Sequence, residues 1–204
     1  TPINTVLGMN EMILRESNDG SILSYAQNIK TAGRRLLNLI NDILDFSKIE
    51  AGKTEITPVN YELSELLEAV LVVMQSRTYD KGLSFNLDID REIPTVLHGD
   101  EIRIKQVITN ILSNAVKYTK EGSITFHAGF EKLPDGSDSI MLKISVADTG
   151  IGIKPEDMDK LFKAFERIEE KRNRNIEGTG LGMTIAQSFL AMMGSHLQVE
   201  SKYG

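Results

Sequence analysis

From Ile22 onward, apolar and small residues recur at Ile22, Ala26, Ile29, Gly33, Leu36, Ile40, Ile43 and Ser47, at alternating spacings of four and three. This is the pattern of a long helix seated against partner helices. Leu37 and Leu44 widen the stripe beyond a narrow two-stranded seam, toward the apolar face of a helical bundle. Upstream, Ile3, Val6, Leu7, Ile13 and Leu14 predict a shorter helix, and Asn18-Asp19-Gly20-Ser21 a turn with Ser21 as the N-cap. A lone hairpin of this kind leaves much apolar surface uncovered, so a second copy completing a dimeric four-helix bundle is the expected arrangement.

The pattern changes after Ala51-Gly52-Lys53, where glycine ends the helix. Two domains are therefore expected, 1–53 and 54–204. In the second, Glu55 to Val59 reads as extended, Leu63 to Tyr79 as a helix, and Leu83, Phe85, Leu87 and Ile89 as an alternating strand. Asp100 caps a helix running from Glu101 to Tyr118. Two more alternating runs, around Ile124 to Phe130 and Ile140 to Val146, form a hairpin through Leu133-Pro134-Asp135-Gly136-Ser137. Helices near Pro155 to Phe165 and Leu181 to Met193, and a short strand at Leu197 and Val199, complete an α+β chain: a helical hairpin followed by an α/β two-layer sandwich.

Composition removes several function classes. The chain has no cysteine, which excludes a thiolate metal site, a cysteine nucleophile and a disulfide scaffold, and fits a reducing compartment such as the cytoplasm. A net charge of -6 argues against nucleic acid as a partner. No apolar run reaches the length of a membrane span, so no membrane contact by this chain is expected.

Three elements carry candidate chemistry. On the helix from Glu101, residues Arg103, Gln106, Asn110, Asn114 and Lys117 fall in a sector roughly 80° wide at 3.6 residues per turn, with Ile104, Ile108, Ile111, Leu112 and Ala115 on the other side, against the sheet. The plain reading is a solvated face. Asparagine is a poor helix former, however, and two of them one turn apart call for a reason such as oxygen ligation of magnesium. Asp148-Thr149-Gly150-Ile151-Gly152 follows a strand, where backbone can approach a ligand and an aspartate can accept a hydrogen bond from an exocyclic amine; a turn-forming Asp is the alternative. Gly178-Thr179-Gly180-Leu181-Gly182 precedes a helix, so its amides can cradle phosphates, unless it is a simple linker turn. It lacks the lysine and hydroxyl of a P-loop, and its glycines do not follow the dinucleotide fingerprint. Between the second and third elements, Glu169-Glu170-Lys171-Arg172-Asn173-Arg174-Asn175 reads as a polar lid, with Phe162 and Phe165 at its base.

In order and spacing these elements resemble the two-component sensor histidine kinases, whose ATPase domain is shared with gyrase, mismatch-repair and heat-shock chaperone ATPases. Asn110-Ile111-Leu112-Ser113-Asn114-Ala115-Val116-Lys117-Tyr118 resembles the family's N box, Asp148 to Gly152 its G1 box, Phe162 to Phe165 its F box and Gly178 to Gly182 its G2 box. The resemblance implies ATP and Mg²⁺ as cofactors. Asn114 would ligate the metal, Asp148 would read the adenine amine, and Gly150, Gly152 and Ile153 would also contact the nucleotide. Lys117 and Arg167 would meet phosphates, Tyr118 would pack by the nucleotide, and Gly178, Thr179, Gly180, Leu181 and Gly182 would surround the phosphates. At Asn110 the hydrolysing relatives carry a glutamate as general base; an amide cannot take that proton, which favours phosphotransfer.

The hairpin, closed by Asp45-Phe46-Ser47-Lys48-Ile49-Glu50-Ala51-Gly52, resembles the family's dimerisation and phosphoacceptor domain. There the acceptor histidine opens a His-Glu-x-x-Thr or Asn run ahead of a proline. This chain begins at Thr1-Pro2, and His98, His127 and His196 lack the helical context of an acceptor. The chain is expected to lack the acceptor histidine at one end and part of a strand at the other. Thr1 matches the position that helps orient water when the response regulator is dephosphorylated; helix capping is its alternative role. The resemblance implies a homodimer, a response-regulator receiver domain as partner and a sensor domain upstream. Two other readings stay open: a non-catalytic nucleotide-sensing dimerisation module, and a hydrolysing ATPase of the related fold.

Overall fold

A computed structural model describes residues 2–133, 139–166 and 178–204. Thr1, Arg167, the tip of the turn at Pro134-Asp135-Gly136-Ser137 and the lid Glu169 to Asn175 lie outside the described residues. The chain divides into two compact units, Thr1–Thr54 and Glu55–Gly204. No described helix is long and apolar enough to cross a membrane.

The first unit is a helical hairpin of α1 (Pro2–Glu16) and α2 (Gly20–Glu50). The N-cap of α2 is Asp19 rather than Ser21: its Oδ1 accepts from the backbone amides of Ser21, at 2.8 Å, and Ile22, at 3.1 Å. A carboxylate one residue outside the helix reaches two free amides together, and the Ser21 hydroxyl bonds the same oxygen instead of capping. That hydroxyl first, then the two amides, holds the Asp19 carboxyl below its usual range. Its capping contribution is therefore present near neutrality and fades as pH falls through the lowered value.

The helices meet along Ile3, Leu7, Asn10 and Leu14 of α1 and Leu23, Ala26, Lys30, Gly33, Leu37 and Ile40 of α2, which are buried or half-buried. Only Ala26, Gly33 and Ile40 of the predicted seam belong to this face. Ile22, Ile29, Leu36 and Ile43 form a second stripe beside it, each 40% exposed or more, and α1 carries a matching stripe of Val6, Met9 and Ile13. The sequence repeat thus merges two contact faces, only one of which is filled within the chain. Inside the filled face, Asn10 Nδ2 donates to the Ala26 carbonyl at 2.7 Å. A side chain at Gly33 would overlap Leu7, so glycine sets the close approach of the helices there.

The second unit packs helices on one face of a sheet. Its elements are β1 (Val59–Glu62), α3 (Leu63–Asp80), β2 (Ser84–Ile89), β3 (Val96–Gly99), α4 (Glu101–Tyr118), β4 (Ser123–Lys132), β5 (Ile140–Asp148), a 3₁₀ helix at Pro155–Lys160, and α5 (Gly182–Met192). The main sheet has the order β2-β4-β5, with β2 parallel and β5 antiparallel to β4. Alternation works as expected on β4, where Ile124, Phe126 and Ala128 face inward and are fully buried. They meet Leu66, Leu67, Val70 and Met74 of α3 and Ile108, Leu112 and Ala115 of α4 in one apolar core.

Three expectations change. A two-stranded antiparallel sheet, β1-β3, places His98 in a strand rather than a loop. The segment from Pro155 is a short 3₁₀ helix of six residues that ends at Lys160, with the proline at its start and the acidic Glu156-Asp157 following. The last helix stands where it was expected, Gly182–Met192 with Leu181 and Met193 as its cap residues. Leu197 and Val199 form no strand; alternation alone did not secure a ladder partner among the described residues, and the terminal segment instead crosses Gly152, with Gly204 N donating to Ile151 O at 3.2 Å.

The end of α4 is held from outside the helix. Lys81, just past α3, donates through Nζ to the carbonyls of Val116 at 2.7 Å and of Lys117 and Thr119 at 3.3 Å. A cation at a helix C-terminus satisfies orphan carbonyls and opposes the macrodipole. Lys81→Met is expected to destabilise this unit by about 1 kcal/mol, seen as a melting temperature lower by roughly 2–4 °C.

Candidate functional site

The polar face of α4 does not look out to solvent. It runs beneath the glycine-rich segment that leads into α5. At one end Asn110 Nδ2 donates to the Gly182 carbonyl at 3.0 Å. At the other, the Lys117 ammonium lies against Gly178, in the space any side chain there would fill. Seven residues of helix span about 10 Å at 1.5 Å each, so the two contacts hold the glycine run along the same stretch of α4. Asn114 stands between them, half-buried, and its amide has no hydrogen-bond partner among the described residues. The helix turns a carboxamide and an ammonium toward the glycine run, while Ile108, Leu112 and Ala115 anchor its other side in the core.

Between α4 and α5 the packing is apolar and tight: Leu181, Ile185, Ala186 and Phe189 are fully buried. Arg103, on the polar face of α4, lies over the Phe189 ring at 4.5 Å, and its Nη1 donates to Gln106 Oε1 at 3.1 Å. Arg103 therefore packs on α5, with Gln106 as its hydrogen-bond partner.

Glycine loop geometry follows from its neighbours. Gly180 adopts φ +73°, and a side chain there would press on the backbone of Phe165 and Glu166 at about 3.0 Å. Phe165 N donates to Gly180 O at 3.3 Å, and Thr184 Oγ1 to Phe162 O at 3.0 Å. The Thr179 hydroxyl is turned inward, accepting from Leu181 N at 3.1 Å. Phe165 therefore braces the glycine run, with a left-handed backbone, φ 64°, while Phe162 holds the first turn of α5.

At the other side of the site, β5 ends in Asp148. Its Oδ1 accepts from Gly150 N at 2.9 Å, which shapes the turn and leaves the second carboxylate oxygen for another donor. A side chain on Gly150 would meet Asp148 Oδ1 at 2.6 Å, Tyr118 O at 2.8 Å and Thr119 Oγ1 at 3.1 Å. The aspartate turn therefore rests directly on the C-terminal end of α4. Thr119 is fully buried, and its hydroxyl has no partner among the described residues. The Lys117 ammonium lies 4.8 Å from the Tyr118 ring centroid, a cation–π distance. Gly152, φ +66°, lets Lys202 pass, and Ile153 N donates to Ser201 Oγ at 2.9 Å, so Ile153 is tied to the terminal segment.

Asn110, Asn114, Lys117, Tyr118, Asp148, Gly150, Gly178, Thr179, Gly180, Leu181 and Gly182 thus assemble in one region. Gly152 and Ile153 sit at its edge, and Thr1 and Arg167 are outside the described residues. Two supporting residues carry no mark in the sequence pattern. Thr149 ties this turn to β4, its Oγ1 accepting from Ser123 N at 2.9 Å, and Lys81 pins α4 from another element. Among the described residues no three His, Asp or Glu side chains stand together as a metal cage. The donor set fits a hard cation that takes one amide oxygen from protein and the rest from phosphate and water, as magnesium does.

The chain is similar to known proteins over both of its units. Residues 1–52 match the His Kinase A (phospho-acceptor) domain. Over its whole length the chain is 39% identical to the hybrid signal transduction histidine kinase B of Dictyostelium discoideum and 37% identical to the sensor histidine kinase GacS of Pseudomonas protegens. It spans 10% and 22% of those proteins. Among solved structures, full-length ShkA in complex with AMPPNP is similar over 95% of this chain and 38% of its own, at TM-score 0.72 and 30% identity. Acinetobacter baumannii AdeS shares the fold at TM-score 0.63 and 22% identity, over 98% of this chain and 89% of its own. Residues 99–204, more than half of the chain, match the histidine kinase-, DNA gyrase B- and HSP90-like ATPase model, and the chain belongs to that family.

Proposed function

We propose that this chain is the dimerising and ATP-binding core of a two-component sensor histidine kinase, which moves the γ-phosphoryl group of ATP to a histidine and on to an aspartate of a response regulator. The observation that carries the reading is the pairing of α4 with the glycine run, held by Lys117 against Gly178 and by Asn110 on Gly182, on either side of the half-buried Asn114. Asn114 would supply an oxygen to Mg²⁺. The glycine-run amides, the N-terminus of α5 and Lys117 would hold phosphate oxygens. The free oxygen of Asp148 would accept from the adenine amine, and Tyr118 would lie against the nucleotide. Bound magnesium supplies charge neutralisation on the phosphates. The chain's own groups supply position and fixed dipoles, and no carboxylate stands at residue 110 to deprotonate water.

Phosphoryl transfer is tested with γ-labelled ATP on two proteins: the 204-residue chain, and the same chain extended so that Thr1-Pro2 completes a His-Glu-x-x-Thr-Pro run. Label on the histidine of the extended protein alone is expected. Steady phosphate release without phosphoprotein would favour a hydrolysing ATPase, and Mg-ATP binding without turnover a nucleotide-sensing module; either contradicts the kinase reading.

Dimerisation through the hairpin is supported by the exposed stripes of Ile22, Ile29, Leu36 and Ile43 and of Val6, Met9 and Ile13. Ile29→Asp places a charge in the unfilled stripe without touching the face α1 already covers. Sedimentation is expected to show the mass falling to that of one chain while the helical circular-dichroism signal of the hairpin is kept.

A further inference from the structure

The Asn110 contact carries more than the absence of a general base. Asn110 Nδ2 donates to the carbonyl of Gly182, the first residue of α5, across 72 positions of sequence. The α5 end is the one whose amides would face phosphate, and Asn114, one turn along α4, is the residue placed to ligate the metal. The bond therefore fixes the separation between these two parts of the site. We infer that Asn110 is a positioning residue: its amide is a latch that holds the start of α5 on α4 and so sets the phosphate-binding loop over Asn114. The inference rests on the ATP-site reading above.

The latch requires a donor. A carboxylate at residue 110 would set an acceptor against the Gly182 carbonyl, lose the bond and add repulsion. The group that could serve as a base for water is thus the group that the local backbone excludes. The contact is local in its charge environment as well. From Gly182 to Met192, α5 carries no charged side chain, and the charged residues of the α4 polar face are the cations Arg103 and Lys117. Among the described residues no carboxylate is hydrogen-bonded to the Asn110 amide, whose Nδ2 is given to the Gly182 carbonyl. Protonating a carboxyl at residue 110 would restore a donor, and an acid facing an acceptor keeps its proton to a higher pH than usual.

The test measures Mg-ATP affinity of the native chain, Asn110→Asp and Asn110→Ala by calorimetry at pH 7.5 and pH 5.5, each variant against native at the same pH. At pH 7.5 the expected losses are roughly 10-fold for Asn110→Asp and about 3-fold for Asn110→Ala, the range of a lost hydrogen bond with and without added repulsion. At pH 5.5 the Asn110→Asp deficit is expected to shrink to that of Asn110→Ala or below, whereas the Asn110→Ala deficit stays fixed. A circular-dichroism melt accompanies each titration, and the pH-dependent recovery cannot arise from a variant that fails to fold. Native-like binding by Asn110→Asp at pH 7.5, or a deficit unchanged by pH, would overturn the latch; so would Asn110→Asp releasing phosphate from ATP faster than native. If the native chain itself binds no ATP, the site reading fails instead, and the two failures are distinct.

Discussion

Replacing Asn114 by alanine is expected to weaken Mg-ATP binding by at least 10–100-fold, the range seen when even an outer-shell partner of a metal site is removed, and to leave binding insensitive to magnesium. The fold is not expected to suffer. Asn114 lies in the interior of α4, its amide has no partner among the described residues, and alanine is the better helix former by roughly half a kcal/mol. An equal or higher melting temperature beside a lost magnesium effect would separate ligation from stability. Titrations with and without Mg²⁺ on native and variant check this, and a variant with the native magnesium dependence would remove Asn114 from the site.

Asp148→Asn is expected to lower ATP affinity by roughly 10–100-fold, the equivalent of about 1.5–3 kcal/mol for a hydrogen bond to a charged group. An asparagine can still present an oxygen to Gly150 N, so the turn that rests on Tyr118 and Thr119 is kept. What it loses is the charge and the second acceptor that would meet the adenine amine. The same variant should bind a 6-oxo purine nucleotide such as ITP no worse than the native chain does, because an amide can donate to that carbonyl. Loss of ATP and ITP affinity in equal measure would point to a damaged turn rather than a lost base contact.

How far the sequence reaches is clearest at α4. Its apolar side was readable because helical periodicity reports what a helix buries, and Ile108, Leu112 and Ala115 are in the core. The same periodicity misrepresented its polar side. Asn110, Asn114 and Lys117 suggest a face turned outward, yet their neighbours are Gly178 to Gly182, more than 60 residues away along the chain. Only the family resemblance joined those segments beforehand. The hairpin shows the converse: one repeat of apolar positions was legible, but it served two faces, and the spacing alone does not divide Ala26 and Gly33 from Ile29 and Leu36. Short elements escaped as well. At four residues, β3 is too brief to show alternation, and its pairing with β1 joins segments more than 30 residues apart. Leu197 and Val199 alternate as a strand would, but a strand exists only where a neighbour supplies the ladder. Lys81 was invisible because a lysine after a helix has no periodic meaning; its part comes from carbonyls on another helix.

The central claim is that α4, the Asp148 turn and the glycine run form one Mg-ATP site. Calorimetric titration of the native chain with ATP, with and without Mg²⁺, tests it most directly. Saturable binding of one nucleotide per chain, strengthened by magnesium, is the predicted result; no saturable binding in the presence of magnesium would contradict it.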